Sequence, residues 1–315
     1  LKSGGNVNPN SIIGTTEEYN KDVFARTASS WASGGSLSSA RRALTMFGHQ
    51  TAAVVAGGAA PPGTPPAASA TEEYNGSSWS SGGALPAASP AAASAGSLTT
   101  GLLFGPGTQS LEYDGSTWTA GNSLNSPISL HMGSGTQTTA FSAGGSPNVT
   151  QTELYNGTTW TTATGALNTG RQFGQAAGDS AAGLVFGGDT GPGVGNETLA
   201  SESWDGTSWT ATNPMAGVAV TATAGGGTQT QAFSALGAFE TAPGPDSLQT
   251  QTQEWDGTGW ATTANATTAR WQTSGSGPAS DGGLAAGGTT GTLQTATEEY
   301  TYTTTTLNFK TLTTS

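Results

Sequence analysis

The sequence predicts an all-β protein, a β-propeller of four-stranded antiparallel blades, with seven blades favoured and six as the alternative. Three observations predict it. An acidic, Thr-rich stretch ending in an aromatic residue recurs seven times, at Tyr19, Tyr74, Tyr113, Tyr155, Trp204, Trp255 and Tyr300. This spacing, roughly 40–55 residues, is the length of a propeller blade. In most copies an Asn-Gly or Asp-Gly and a second aromatic follow at once, giving Trp79, Trp118, Trp160, Trp209 and Trp260, as in Glu153-Leu-Tyr-Asn-Gly-Thr-Thr-Trp160. Between these motifs lie two strand-length stretches, the second ending in a glycine pair.

Each blade can be read in order. The first strand opens near an arginine, as in Arg41-Arg-Ala-Leu-Thr-Met-Phe-Gly48 or Arg171-Gln-Phe-Gly-Gln-Ala-Ala-Gly178. A second strand follows, Thr51-Ala-Ala-Val-Val-Ala-Gly-Gly58 or Ala181-Ala-Gly-Leu-Val-Phe-Gly-Gly188. Its glycine pair recurs at Gly144-Gly145 and Gly287-Gly288 and degrades to Gly105-Pro106 and Gly237-Ala238. A loop of variable length then leads to the Tyr or Trp of the third strand. Asn-Gly and Asp-Gly accept the positive φ of a type I′ turn, so the third and fourth strands are expected to form a two-residue hairpin with paired aromatics.

Two copies depart from the pattern. In the first, Asn20 to Ser30 intervene before Trp31; in the last, Tyr300 runs on without a Gly turn, and Phe309 stands where a Trp is expected. Residues 1–14 have room for one strand at most, so the first blade, about 1–33, is expected to be incomplete. The residues assigned to the structural repeat are thus Tyr19, Trp31, Tyr74, Trp79, Tyr113, Trp118, Tyr155, Trp160, Trp204, Trp209, Trp255, Trp260 and Tyr300, within a single domain covering 1–315.

The Gly-Gly after the second strand, the Tyr in the third and the Trp in the fourth resemble the Kelch family of β-propellers. The wording Thr71-Glu-Glu-Tyr-Asn-Gly-Ser-Ser-Trp79, with Gly135-Thr-Gln-Thr138, Gly227-Thr-Gln-Thr230 and a Lys-Thr-Leu-Thr-Thr-Ser end, is similar to Thr/Gly-rich Kelch-like repeat proteins of aquatic bacteriophages. That resemblance implies a virion structural or appendage protein, placed on the virion surface or outside the cell.

Composition narrows the alternatives. Only 9% of residues are charged and 34% are apolar, with 49 Gly, a mixture that suggests disorder unless a strict repeat overrides it. Thr is a good strand residue whose hydroxyl can face water, so a low-charge surface can still be a sheet surface. The net charge of −12 with eight Lys and Arg excludes a basic track for nucleic acid. Most acids fall inside the repeated motif and are read as solvated strand and turn positions; Arg41, Arg42, Arg171 and Arg270 are expected to meet them or backbone carbonyls between blades. No apolar run is long enough for a transmembrane helix, so no membrane insertion is expected. No signal peptide is visible, and the opening Leu leaves room for a removed N-terminal piece.

Chemical motifs are sparse. Without cysteine there is no disulfide, thiolate metal site or Cys nucleophile. His49 and His131 lie in inner-strand regions with no evident partners for a metal site or a catalytic triad. The turns Asp114-Gly-Ser-Thr-Trp118 and Asp205-Gly-Thr-Ser-Trp209 resemble the Asp-box turns of sialidases but lack the residue between Asp and Gly. The sequons at Asn75, Asn148, Asn156, Asn196 and Asn265 are a weak signal, since two are the Asn-Gly turns. No catalytic, cofactor-binding or metal residues are therefore assigned, no cofactor is expected, and the protein is read as not an enzyme. Function is expected in the irregular loops 59–70, 189–199 and 238–250. The leading expectation is attachment to a host surface glycan or to another virion protein or like chain; the alternatives are a bacterial secreted or cell-surface adhesion propeller and, third, a glycan-cleaving enzyme.

Overall fold

The computed structural model describes residues 6–8, 11–12, 23–59, 68–192, 195–239, 247–277 and 282–308. The chain forms two compact units, one of Ser29–Tyr302 and one of the terminal segments Leu1–Ala28 and Thr303–Ser315. In the terminal unit Asn6–Asn8 pairs with Ser11–Ile12, and Val23–Thr27 pairs antiparallel with Thr304–Asn308.

The larger unit is a propeller of six four-stranded antiparallel sheets. In chain order the blades span 45–81, 93–120, 132–162, 175–211 and 224–262, and the sixth is built from Ser274–Ser276, Gly283–Ala286, Thr297–Thr301 and Ser30–Ser33. Blade 5 carries an extra hairpin, Ala238–Phe239 with Ser247–Leu248, between its second and third strands.

Six blades correct the favoured count of seven, and the reason is ring closure. The fourth strand of the last blade comes from the other end of the chain, with Tyr300 opposite Trp31. This is the register of Tyr74 with Trp79 and of Trp204 with Trp209 within their own blades. Trp31 therefore supplies the indole that Tyr300 lacks locally, and residues 30–33 belong to the last blade instead of starting an incomplete first one. The motif aromatic Tyr19, and Phe309, lie outside the described residues.

The second strand of every blade is sandwiched between neighbouring sheets, which explains its short continuous apolar run. Ala140–Ala143, Gly183–Phe186, Ala232–Ala235 and Gly283–Ala286 are buried at every position. Close sheet stacking also demands missing side chains. A Cβ on Gly101 would lie 2.3 Å from the Phe47 ring of the preceding blade, and one on Gly133 would lie 2.5 Å from Phe104.

The Asn-Gly and Asp-Gly turns depart from the expected geometry. Tyr74 pairs with Trp79 across a four-residue loop, and in that loop only Gly76 has positive φ. Two left-handed residues, as a type I′ turn needs, are absent. The Asn or Asp side chain instead accepts from the amides two and three residues on: Asp114 Oδ1 takes the N–H groups of Ser116 and Thr117 at 2.8 and 2.7 Å, and Asn156 Oδ1 those of Thr158 and Thr159. The residue is kept for its acceptor oxygen as an Asx turn. These bonds hold the exposed Asp114 and Asp205 carboxyls well below the ordinary carboxylate range.

The glycine pair is a contact between blades. Gly58 N–H donates to Ser89 O, Gly145 N–H to Arg171 O and Gly288 N–H to Arg41 O, each a carbonyl at the start of the next blade. Both members are left-handed, with Gly57 at φ 66° and Gly58 at 94°. In blade 5 the equivalent pair is Leu236-Gly237, at φ 66° and 94°, one residue earlier than the expected Gly237-Ala238.

Candidate functional site

The repeated polar residues hold the ring together, and their pattern says which side chains are left for recognition. The third-strand Tyr of each blade that has one donates to a Glu on the third strand of the preceding blade. Tyr74 reaches Glu299 at 2.5 Å, Tyr113 reaches Glu73, Tyr155 reaches Glu112 at 2.6 Å and Tyr300 reaches Glu254 at 2.7 Å. Blades 4 and 5 carry Trp204 and Trp255 instead, and the preceding blades place Leu154 and Ser203 where the Glu would be. Burial and the facing carboxylates push the Tyr74 and Tyr113 phenols up to about 12.

The fourth-strand tryptophans make a second ring of contacts. Trp31, Trp79, Trp118, Trp209 and Trp260 each donate Nε1–H to the Thr or Ser that opens the third strand of the preceding blade: Thr252, Thr297, Thr71, Thr152 and Ser201. In blade 3 the equivalent atoms, Trp160 Nε1 and Ser110 Oγ, are both buried and unbonded. Trp118, Trp160, Trp209 and Trp260 are buried, and Trp31 and Trp79 are half-buried. These indoles do not form an exposed carbohydrate platform.

A third set is buried inside the blades. Arg41, Arg171 and Arg270 pair with Glu72, Glu202 and Glu298 at 2.6, 2.5 and 2.8 Å, with every partner at most 4% exposed. Each guanidinium also donates to two carbonyls of its own blade, Gly57 O and Ala70 O in the case of Arg41. The second carboxylate oxygen of Glu72, Glu202 and Glu298 accepts a backbone amide from the loop entering the blade, at Ser38, Asn168 and Thr267. This corrects two expectations: these acids are buried, and the arginines meet them within one blade. Arg42 takes no part in the set.

Blades 2, 3 and 5 lack the arginine and carry a glutamine instead, which reaches the equivalent carbonyl in blade 2, Ser126 and Glu153 in blade 3 and the Val218 backbone in blade 5. Ser89, Ile128 and Val220 stand two residues before the left-handed Ala91, Leu130 and Ala222, where Arg41 stands before Ala43. In these blades the position of Ala70, Ala200 and Ala296 is taken by Gln109, Gln151 and Gln251. Gln109 Nε2 donates to Gly105 O and Ser89 Oγ, replacing the guanidinium.

The central channel has a volume of about 350 Å³ and is walled by the six inner strands. Most of its lining is Gly, Ala and Ser, and three of its hydroxyls are spent on the neighbouring blade: Ser94 Oγ donates to Met46 O, Ser134 Oγ to Gly178 O and Ser276 Oγ to Gly48 O. His131 is buried against Phe104, with ring centroids 5.6 Å apart, and burial pushes its pKa down to about 4. His49 Nδ1 shares a hydrogen bond with Thr51 Oγ1. Among the described residues no group of three or more His, Asp or Glu is placed to hold a metal ion, and no helix is long and apolar enough to cross a membrane.

One end of the channel is ringed by backbone. At four of the six blade entries the left-handed residue donates its N–H to the equivalent carbonyl of the preceding blade: Ala91 to Ala43, Phe173 to Leu130, Ala222 to Phe173 and Ala43 to Gln272. Just outside this rim stand Arg42, Gln172, Thr221 and Trp271, each joined to the start of a loop between second and third strands by a bridge, to Ala59, Asp189, Ala238 and Thr289 respectively. This loop face is the candidate site. It carries the described starts of the three irregular loops, at Ala59, Asp189 and Ala238, together with a half-buried cation and a half-buried indole; residues 60–67, 193–194 and 240–246 lie outside the described residues. Sequence reasoning missed Trp271, although a signal existed: the other eight of nine Trp fall on third or fourth strands and Trp271 does not.

No family model matches the sequence, and no curated protein does. By structure the chain is similar to YjhT, with a TM-score of 0.69 and 14% identity over 87% of this chain and 99% of that one. In all, 295 solved chains match, so the likeness establishes the propeller fold and selects no single activity.

Proposed function

We propose that the protein is a non-enzymatic binding propeller of a virion surface or appendage, which presents its loop face to a host surface glycan or to another virion protein. The observation that carries the binding reading is how the repeated charges are used. Three arginines and their glutamates are buried in ion pairs, four further glutamates receive tyrosine hydroxyls from the next blade, and the turn aspartates cap their own loops. What varies from blade to blade is the connection between second and third strands, and all these connections open beside the rim that carries Arg42 and Trp271. An indole face with neighbouring amide and guanidinium donors suits a sugar ring, which offers C–H groups on one face and hydroxyls at its edge.

The virion assignment rests on the similarity of the Thr/Gly-rich Kelch-like wording to phage repeat proteins. Weak single-site affinity then suffices, because many copies on one particle raise avidity. Imaging of the native particle with a loop-directed label tests the assignment. Labels at an exposed appendage or capsid surface support it; a chain absent from particles overturns it.

A further inference from the structure

Two side chains on the loop face stand outside the network that occupies their counterparts. Seven of the nine indoles donate Nε1–H within the ring, and Trp160 Nε1 is buried. Among the described residues, Trp271 alone keeps an Nε1–H that is neither bonded nor buried. Arg41, Arg171 and Arg270 are paired with glutamates, whereas the half-buried guanidinium of Arg42 has no partner among the described residues. A partly desolvated charge without a counter-charge is unfavourable.

Both residues belong to one seam, between blades 6 and 1. Ala43 N–H donates to Gln272 O at 2.8 Å, so Arg42 and Trp271 stand on either side of a single hydrogen bond. Arg41 is tied to blade 6 as well, its N–H to Gln294 O at 3.2 Å and its carbonyl to Gly288 N–H at 2.8 Å, while Trp271 exchanges both backbone bonds with Thr289. The two side chains therefore project from backbone fixed before any ligand arrives, which lowers the ordering cost of binding. Beside them the connection of blade 6 exposes Thr290 and Thr292. Among the described residues of the connections between second and third strands, the carboxylates are Asp189 and Glu197, on blade 4, three blades away from Arg42 across the ring.

We propose that this seam binds a pyranose that carries a carboxylate, an acidic sugar class; the proposal rests on the glycan reading of the loop face. The planar fork of Arg42 matches a carboxylate with two parallel hydrogen bonds. The Trp271 indole takes the C–H face of the ring, and its free N–H and the exposed threonine hydroxyls meet the ring hydroxyls. Asp189 and Glu197 repel the same carboxylate from the opposite side of the mouth, which fixes the end of the sugar that meets blade 1.

Titration of the full chain with glucuronate, galacturonate, glucose, galactose and acetate, followed by the indole N–H resonances, tests this. The resonance that moves should be the one missing from Trp271→Phe, and the two uronates should bind roughly tenfold more tightly than their neutral counterparts. Arg42→Gln, at unchanged Tm, should bring the uronates down to the neutral level, and Arg42→Lys, which keeps the charge without the fork, should retain part of the preference. Equal affinity for uronates and neutral sugars, or a preference that persists in Arg42→Gln, would overturn the proposal and leave the glycan reading standing. Acetate binding as tightly as glucuronate would show that no sugar ring is read, and would overturn it too. No shift with any of the five up to about 0.1 M, far above a millimolar Kd, would overturn both.

Discussion

Substituting Arg41 by Ser tests the charge logic of the ring, because the protein contains its own control. The change removes three hydrogen bonds, to Gly57 O at 2.8 Å, Ala70 O at 2.9 Å and Glu72 Oε1 at 2.6 Å. It leaves Glu72, 3% exposed, as a buried charge without a cation. Breaking one side of such a pair costs about 3–5 kcal/mol, or roughly 6–10 °C in Tm at about 2 °C per kcal/mol for a domain of this size. Blade 2 carries Ser89 and Leu111 at the same two positions, with Gln109 beside them. The triple variant Arg41→Ser, Ala70→Gln, Glu72→Leu therefore imports a solution already used in this ring and should recover most of the loss. Circular dichroism melts of the wild type, the single variant and the triple variant measure this directly. A single variant within 1 °C of wild type, or a triple variant less stable than the single one, would refute the reasoning.

Other expectations follow from the same contacts. Glu112→Leu strands the buried Tyr155 hydroxyl and should cost about 1–3 kcal/mol, which Tyr155→Phe in the same chain should largely restore in a double-mutant cycle. Because the Tyr74 and Tyr113 phenols are raised to about 12 from 10, their contribution is fully present below pH 10 and lost as pH rises from 10 to 12; the alkaline limb of a Tm–pH profile should fall there and shift in Tyr113→Phe. His131 is held neutral, with a pKa lowered to about 4 from 6.5. The folded state binds fewer protons than the unfolded one between these values, so stability is full above pH 6.5 and falls by about 3 kcal/mol as pH drops to 4. His131→Gln should flatten that limb, and an unchanged profile would show that His131 is not its source.

The repeat, its strand order and its aromatics were legible because each blade is a local unit with fixed turn chemistry. The blade count was not, because it depends on a pairing between Trp31 and Tyr300, whose separation hides it from any local pattern. The turn was misread for a different reason. Asp114-Gly and Asn75-Gly satisfy a type I′ pattern by composition, while the oxygen of Asp114 or Asn75 caps the loop amides. Burial of Glu72 and Glu202 was obscured because each sits beside a more exposed residue, Glu73 or Ser203, on the opposite face of its strand. A comparison of adjacent repeats would have shown both staples: Tyr113 follows a blade with Glu73, and Trp204 follows one with Leu154; Arg171 accompanies Ala200, and Val220 accompanies Gln251. The loop face stayed unreadable since its residues are, by nature, those that do not repeat.

The most direct test of the account is binding of the purified protein, and of its native particle, to host-surface glycans, alongside Trp271→Ala and Arg42→Ala and the outer-strand control Thr119→Ala. The account predicts saturable binding without sugar release, lost in Trp271→Ala and weakened in Arg42→Ala at unchanged Tm, and retained in Thr119→Ala. Saturable glycan turnover that disappears on replacing a single carboxylate, or binding indifferent to both rim substitutions, would contradict it.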